Sequence, residues 1–480
     1  MGLLEQVTSG APWPPPGHKR RLQTQHDLQL LYRNRRPEVA QRYAIELEGH
    51  TEPTDAVYYP TVRIAAQLLA DFLFGTAPTI SSGTLDDEVL GEAFAHLPAR
   101  LLEGAATCAV QGEVYLRPTW DGELHPWPLL TIVPGRRVIP RFRHGVLAEA
   151  LVVTEKNAGS QGQDVWRLIE HHHRDGATGV ISYSAWEGTD DRLGQIVPLP
   201  ESPWPDPTGT GQDTISPGVA GLLLHHVPFT RDGEDDHGVS PFDGAEGLIL
   251  ALHRLYSQEQ HDAEMARRRV AVPSAYLKRD RRGNPVMDRR TDVFELADEA
   301  AGPVGQERPI VPLEFSDDLI DRERIAGRWV EFLTACGIAP QSLGKDAGAA
   351  ESGTARRLAQ ALTLRTVGRA GGYWLAGLQP CLVQMLQLAR TELGQQVPPG
   401  AEVAVSLGDP IGDDPEAQAR TLATLDSAEA ISTEQKVRRL HPEWDDRQVD
   451  TEVAAIEGRR PAPANPPGLS LIPGQEAEAG

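Results

Sequence analysis

Apolar residues recur at helical spacing along the first quarter of the chain. The clearest case is residues 59–74, where one broad apolar face is followed by the stop signals Gly75 and Pro78. The same spacing predicts helix over 26–43, after a polar and flexible lead-in (residues 1–26), and again over 85–110. This part of the chain is therefore expected to be helical.

From residue 113 the period changes to that of strands. Short β-branched and aromatic runs alternate with turn signals such as Asp121-Gly122, Pro134-Gly135 and His144-Gly145. The predicted strands are 114–117, 129–133, 150–154, 165–172, 180–183 and 222–227. Because helices precede strands, the pattern predicts an α+β domain over 27–241, with a polar connector at 200–218.

Beyond residue 241 the chain is again mostly helical. We predict helices over 242–269 and 316–336 on either side of short strands and turns at 270–315, and then a small-residue loop at 337–353. A long helix follows over 354–394, in which a cluster of glycines and Pro380 predict a kink. A strand and helix occupy 395–426, and a helical pair occupies 427–458, beginning at a capping box of Ser432 and Gln435. The Pro/Gly-rich tail at 459–480 is expected to be disordered.

Size and composition narrow the class of protein. A chain of 480 residues is large enough for more than one packed region. No apolar run reaches the roughly 20 residues of a membrane span, so we expect no membrane insertion and, without a secretory signal, synthesis in the cytoplasm. The three cysteines lack the spacing of a zinc site or a disulfide framework, and no cofactor is predicted.

Motifs for catalysis are absent from the sequence. No phosphate loop, nucleophile elbow, HExxH or dinucleotide fingerprint occurs, which disfavours an enzyme. The triplet His171, His172 and His173 suggests a metal site, but no cysteine or carboxylate stands at ligand spacing. A solvated strand is the favoured interpretation of the triplet.

Positive charge is concentrated in one segment of a chain whose net charge is −22. The basic residues of this segment are Arg267, Arg268, Arg269, Lys278, Arg279, Arg281, Arg282, Arg289 and Arg290. They are suited to contact phosphates or an acidic partner. Equally, they can pair with the acidic residues that follow them, within one chain or between neighbouring subunits, and both interpretations stay open.

A second basic feature lies on the long helix. Arg357, Arg365 and Arg369 fall within an arc of about 120° at 100° per residue. Such an arc is suited to phosphate contact inside a channel, but a solvated or intersubunit face is the favoured interpretation.

Four strings, in this order, resemble those of portal proteins of long-tailed bacteriophages. They are RIAAQLLADFLFGTAPTI at 63–80, QGEVYLR at 111–117 with VPGRRVIP at 133–140, ESGTARRLAQALTLRTVGRAGGYW at 351–374, and AEAISTEQKVRRLHPEW at 428–444. The order of the predicted elements is similar too, over residues 27–458. The glycine cluster of the long helix is richer than the family pattern.

The resemblance implies an architecture and a function. Residues 27–241 would be the wing, to which the strand and helix at 395–426 return. The helices at 242–269 and 316–336 would be the stem, 270–315 the clip and 427–458 the crown. Such proteins form a closed ring, typically of twelve copies, at one vertex of the virion capsid, and double-stranded DNA passes through it independently of sequence.

The resemblance also implies partners. These are the terminase large subunit, which carries the ATPase, a head-tail adaptor, and the major capsid and scaffold proteins. The basic residues of 267–290 would serve docking at the clip, and the loop at 337–353, with Ser342, Lys345 and Asp346, would line the channel. The alternatives are another head-tail structural protein or a cytoplasmic enzyme with an unrecognised site.

Overall fold

The computed structural model describes most of the chain in two compact units. The described residues are 3, 7–43, 56–157, 164–265, 269–273, 293–296, 311–313, 322–343, 358–408, 422–428, 430–440 and 446–459. The first unit comprises 1–350 and 356–410, and the second comprises 351–355 and 411–480.

Helices of the first unit follow the predicted apolar stripes closely. They are α1 (Lys19–Arg33), α2 (Arg36–Arg42), α3 (Thr61–Phe74), α4 (Asp87–Phe94), α5 (Leu97–Gln111), α6 (Glu246–Met265), α7 (Arg322–Ala335) and α8 (Ala361–Glu392). The stop predicted after residue 74 is confirmed, since α3 ends at Phe74 and Gly75 caps it.

Strands of the first unit form four sheets within the described residues. The strands are β1 (Thr79–Ser81), β2 (Glu113–Thr119), β3 (Leu129–Pro134), β4 (Val138–Arg143), β5 (Val146–Asn157), β6 (Val165–Asp175), β7 (Thr178–Thr189), β8 (Arg192–Val197), β9 (Thr214–Ile215), β10 (His225–Pro228), β11 (Arg269–Pro273), β12 (Val293–Leu296), β13 (Val311–Leu313) and β14 (Ala404–Ser406). The meander β4-β5-β6-β7-β8 is antiparallel throughout, with β9 beside β7. The other sheets are β10-β2-β3, β12-β11-β13 and the pair β1-β14. The α+β class is therefore confirmed.

The main core lies between the helices and the β10-β2-β3 sheet. Helices α3, α5 and α8 bury their apolar faces there, around Leu69, Leu101 and Trp374. Trp374 meets Phe74 edge to face, with ring centroids 5.0 Å apart. Because α8 belongs to this core, a segment far along the sequence completes the domain that the first half of the chain begins.

A second cluster corrects the prediction of a flexible lead-in over residues 1–26. Leu3, Val7 and Trp13 are buried against the meander, where they pack with Leu151 and Ile169. The backbone of residues 10–13 hydrogen-bonds to the edge strand β8 and the turn before it, and α1 already begins at Lys19. The apolar residues are isolated in a polar stretch, so their burial depends on partners more than a hundred residues away.

Two predicted helices are each divided in the structure. The segment 26–43 breaks at Asn34, which adopts a left-handed conformation (φ 50°) and donates its side-chain amide to Tyr58 O at 2.7 Å. The segment 85–110 divides into α4 and α5 at Ala95 and His96, just before Pro98, which occupies the first turn of α5. Proline is favoured there because its missing N–H would be unsatisfied in any case.

Helices α6 and α7 pack against each other inside the chain. Trp329 Nε1 donates to the Tyr256 hydroxyl at 2.8 Å, and Tyr256 stacks on Tyr59 at 4.4 Å. Trp329 and Phe332, which lie on the apolar face of α7, are buried. The apolar face of α7 is therefore covered within the chain, by α6 and the main core.

Between these two helices the predicted short strands are confirmed. β11 pairs with β12 in parallel and with β13 antiparallel, so that Arg269 lies opposite Leu313. The chain therefore enters and leaves the insertion at neighbouring points.

Helix α8 runs without a break through its glycine cluster and Pro380. Two of the glycines stand where the backbone is approached closely. A Cβ at Gly377 would lie 2.5 Å from Val227 Cγ2, and one at Gly371 would lie 2.8 Å from Leu407 Cδ1. A Cβ at Gly368 or Gly372 would meet nothing within 4 Å. Close packing on the inner face therefore accounts for half of this cluster.

Alanine substitutions at Gly377 and Gly372 are expected to have opposite effects. Gly377→Ala should destabilise the fold by about 1–3 kcal/mol, because the stiff and buried Val227 must shift. Gly372→Ala should stabilise it by up to about 1 kcal/mol, because alanine favours helix over glycine. Urea unfolding measures both, and unchanged stability of Gly377→Ala would contradict the packing argument.

The described residues of the second unit include the short helices α9 (Thr433–Leu440) and α10 (Asp446–Arg459), and residues 422–427 are helical as well. Ser432 Oγ accepts a hydrogen bond from Gln435 N at 3.2 Å, so the predicted cap is confirmed. Val437 and Val449 are buried where the helices meet. The tail predicted at 459–480 lies outside the described residues except for Arg459, the last residue of α10.

Candidate functional site

One face of α8 is exposed and carries two of the three arginines predicted there. Arg365 and Arg369 point away from the buried residues Val367 and Ala370. Neither arginine forms an ion pair with a carboxylate of the described residues. The exposed face continues through Gly372 and on to Ala376, Gln379 and Pro380, and Arg357 lies outside the described residues.

The first part of the predicted channel loop is anchored to the start of α8. Ser342 Oγ lies 2.8 Å from Thr363 Oγ1, which also accepts a hydrogen bond from Ala339 N at 2.8 Å. Thr366 Oγ1 donates to Gly337 O at 2.8 Å. Ser342 is therefore half-buried at an anchor, and the predicted loop residues Lys345 and Asp346 lie outside the described residues.

The predicted basic docking residues are described only at Arg269, the first residue of β11. Outside the described residues lie Arg267, Arg268, Lys278, Arg279, Arg281, Arg282, Arg289 and Arg290.

A fully buried carboxylate, Glu113, is the centre of a polar cluster that the sequence did not reveal. Its oxygens accept hydrogen bonds from Arg21, from His226 Nε2 at 2.8 Å and from Gly238 N at 3.0 Å, and His237 Nδ1 lies 3.7 Å away. Burial alone would raise the pKa of Glu113, but the Arg21 charge and the histidines outweigh it and hold the pKa well below its usual value. A charged buried carboxylate therefore ties together α1, β2, β10 and the segment leading to α6.

A neighbouring histidine responds to the same cluster. Burial, together with the positive charge of Arg21, lowers the pKa of His18 to about 4. Its ring meets His237 edge to face, with centroids 5.7 Å apart. His18 is therefore neutral at physiological pH.

The histidine triplet lies on β6, as predicted, but not on a solvated strand. His171 and His172 are buried, and their Nε2 atoms lie 3.0 Å from Glu149 Oε2 and 3.5 Å from Glu170 Oε2. The prediction of a solvated strand is wrong because this sheet is covered on both faces. Among the described residues no group of three or more histidine, cysteine, aspartate or glutamate side chains is placed to hold a metal ion.

Glu170 is the anchor of a second buried ion pair. Burial opposes its charge, but the nearby His172 ring and the charge of Arg117 prevail and lower the pKa of Glu170 to about 2. Arg117 donates to the same carboxylate. This pair joins β2 to β6 and hence the small sheet to the meander.

The described thiols and histidines form no nucleophile and base pair. Cys108, Cys336 and Cys381 are buried, and burial raises the pKa of Cys336 to about 12. Among the described residues, no serine, threonine or cysteine side chain hydrogen-bonds to a histidine ring. Nor is any described helix long and apolar enough to span a membrane. The exposed face of α8, with Arg365 and Arg369, is the candidate functional surface.

No family model matches the chain, and no curated protein matches it. Among solved structures it is similar to a chain of the virion of a native gene transfer agent particle, with 17% identity and a TM-score of 0.41 over 91% of this chain and 97% of that one. It is also similar to a chain in the neck of the native particle, computed with C12 symmetry, with 16% identity and a TM-score of 0.39 over 91% and 97%. A chain in the neck of the empty particle, computed with C6 symmetry, gives 16% identity and a TM-score of 0.38 over 84% and 92%.

Proposed function

We propose that this chain is the portal protein of a tailed, phage-like particle. Copies of it, twelve by resemblance, close into a ring at one vertex of the capsid, and double-stranded DNA enters and leaves through the central channel. The protein acts as a conduit and docking platform and catalyses no reaction. It is made in the cytoplasm of the bacterial host and resides in the virion.

The element order of the described structure supports this proposal. Along the sequence, the two packed helices α6 and α7 flank a small three-stranded sheet, and the 32-residue helix α8 follows them. In the proposed portal these elements would be the stem, the clip and the channel helix. The observation that carries the proposal is the two-faced character of α8, with one face in the core and the other exposed.

In this proposal, copies of the chain contact each other through surfaces that are exposed in the single chain. The apolar face of α7 is covered inside the chain, so it is not available for ring closure. Exposed apolar side chains remain at Val330 on α7 and at Leu358 and Leu362 near the start of α8. Repeated head-to-tail contact through such patches closes a ring when the rotation between copies is an integral fraction of a turn.

The partners follow from the same proposal. The terminase large subunit and the head-tail adaptor dock at the insertion between α6 and α7, and the major capsid and scaffold proteins surround the wing. Passage of DNA is independent of its sequence, because contacts to phosphates carry no base information.

Negative-stain electron microscopy of the purified protein tests the proposal directly. A ring with a central hole is expected, and native mass spectrometry should then give a mass that is an integral multiple of 52.3 kDa. A compact monomer under all conditions of concentration and salt would overturn the proposal.

Replacing the insertion should separate docking from assembly. Arg269 and Leu313 are register partners, so a short Gly/Ser linker can join them in place of residues 270–312. The variant should still form rings but lose binding of terminase and adaptor, measured by pull-down with each purified partner. Unchanged terminase binding would show that the docking surface lies elsewhere.

A further inference from the structure

A basic cavity lies between α1, the segment before it and the start of β4. Its volume is about 590 Å³ and its lining includes Trp13, Leu22, Arg136, Arg137 and Arg167. Among the described residues, the carboxylates in this lining are those of Glu155 and Asp190. The cavity is remote in sequence from the arginines of α8 and from the basic insertion.

The arginines of this cavity differ in the number of hydrogen bonds that their guanidinium groups make to the rest of the chain. Arg167 is buried and committed, because its Nε donates to Glu155 Oε1 at 2.7 Å and its Nη1 to Thr189 O at 2.8 Å. Arg137 donates to Val153 O at 3.1 Å and to the Thr154 hydroxyl. Hydrogen bonds to the chain therefore hold both guanidinium groups in place at the edge of the cavity.

Arg136 is the available cation. Its backbone N–H donates to Gln111 Oε1 at 3.0 Å, which fixes the turn, whereas its guanidinium forms no ion pair or hydrogen bond with the described residues. Partial burial and the positive charges of Arg33 and Arg137 lower the pKa of Arg136 and outweigh the opposing charge of Glu155. An anion bound here would relieve that repulsion.

The surface beside the cavity extends the positive charge along α1. Residues 19–42 hold seven basic and two acidic residues, in a chain with 46 basic and 68 acidic residues in all. Both acidic residues are already paired, Asp27 with Arg42 and Glu38 with Arg35. Exposed Lys19 and Arg33, at the two ends of α1, are about 21 Å apart along the helix axis at 1.5 Å per residue.

We infer that Lys19, Arg33 and Arg136 form a phosphate-binding surface for the backbone of double-stranded DNA. These cations extend along about 21 Å of α1, which is too long for a single carboxylate to contact. Duplex DNA presents one charge per roughly 1.7 Å of its axis and can therefore contact all of them. Arginine suits the role because its planar fork pairs with two phosphate oxygens. The inference rests on the proposed function, to which it adds a DNA contact outside the channel helix.

The test compares a double variant with a charge-matched control. Arg33→Gln/Arg136→Gln removes two exposed guanidinium groups, and Arg100→Gln/Arg390→Gln removes two exposed arginines elsewhere. Binding of a fluorescent 30-base-pair duplex (length on the order of 100 Å at 3.4 Å per base pair) is measured by anisotropy on the full-length protein. Inorganic phosphate is titrated in a parallel experiment, and native mass spectrometry records assembly of each variant.

The double variant should bind the duplex about 10- to 30-fold more weakly near 0.15 M salt, with a salt slope reduced by about two, while the control is unchanged. Weak competition by inorganic phosphate would identify the DNA polymer as the ligand. Strong competition would instead identify free phosphate as the ligand of this surface. Equal DNA binding by both variants would overturn the inference. Loss of assembly in the double variant alone, with DNA binding intact, would assign the surface to a second copy and also overturn it. Absence of rings in every sample, wild type included, counts against the proposed function instead.

Discussion

Glu113→Ala is expected to lower the free energy of unfolding by about 3–5 kcal/mol, because it leaves the buried charge of Arg21 without its counterion. His226 loses its acceptor in the same variant. The measurement is urea unfolding at neutral pH. Glu103→Ala is the matched control, since that carboxylate is 72% exposed and its pair with Arg100 contributes little. Similar losses in the two variants would contradict the central role of the cluster.

The same cluster sets the direction of the pH dependence. Glu113 has a folded pKa below its unfolded value of about 4.3, so its contribution is present above that pH and is lost as the pH falls further. His18 has a folded pKa of about 4 and an unfolded pKa of about 6.5. As the pH falls from about 6.5 to 4, only the unfolded state takes up the proton, so the free energy of unfolding decreases. His18→Gln should therefore flatten stability between about pH 6.5 and 4, and Glu113→Gln should flatten it below about pH 4.3. Other buried histidines with lowered pKa, such as His172 and His225, add to the upper interval.

Trp374→Ala is expected to have an effect of similar size, about 3–5 kcal/mol, through loss of packing. The indole is fully buried, meets Phe74 at 5.0 Å and lies against Gly104. Trp374→Phe should cost less, because the indole N–H has no hydrogen-bond acceptor among the described protein atoms and its removal leaves no partner unsatisfied. Thermal and urea unfolding of both variants check this order, and a larger loss in Trp374→Phe would contradict it.

Those effects also bear on function through α8. Trp374 and the inner-face glycines hold the helix in the core, so its outer face, with Arg365 and Arg369, has a defined direction. A ring would repeat that face once in every copy. Loss of the core contact is therefore expected to disturb the proposed channel even though Trp374 itself is buried.

Local patterns in the sequence determined most of the element order. The apolar stripe of α3, the cap at Ser432 and the strand runs of the meander depend on neighbours within a few residues, and the structure confirms them. The same is true of the short strands between α6 and α7. Periodicity predicts such elements because one face of each must be buried.

Only the tertiary structure decided which polar residues are buried and which glycines are close contacts. Glu113 lies in a run that looks like any half-buried strand, and its partners come from residues 21, 226, 237 and 238. The burial of Trp13, His171 and His172 likewise depends on segments distant in sequence, and so does the covering of the apolar face of α7. Sequence patterns report what a residue's near neighbours favour, whereas the free energy of a buried charge or a missing Cβ depends on atoms that only the folded chain brings together.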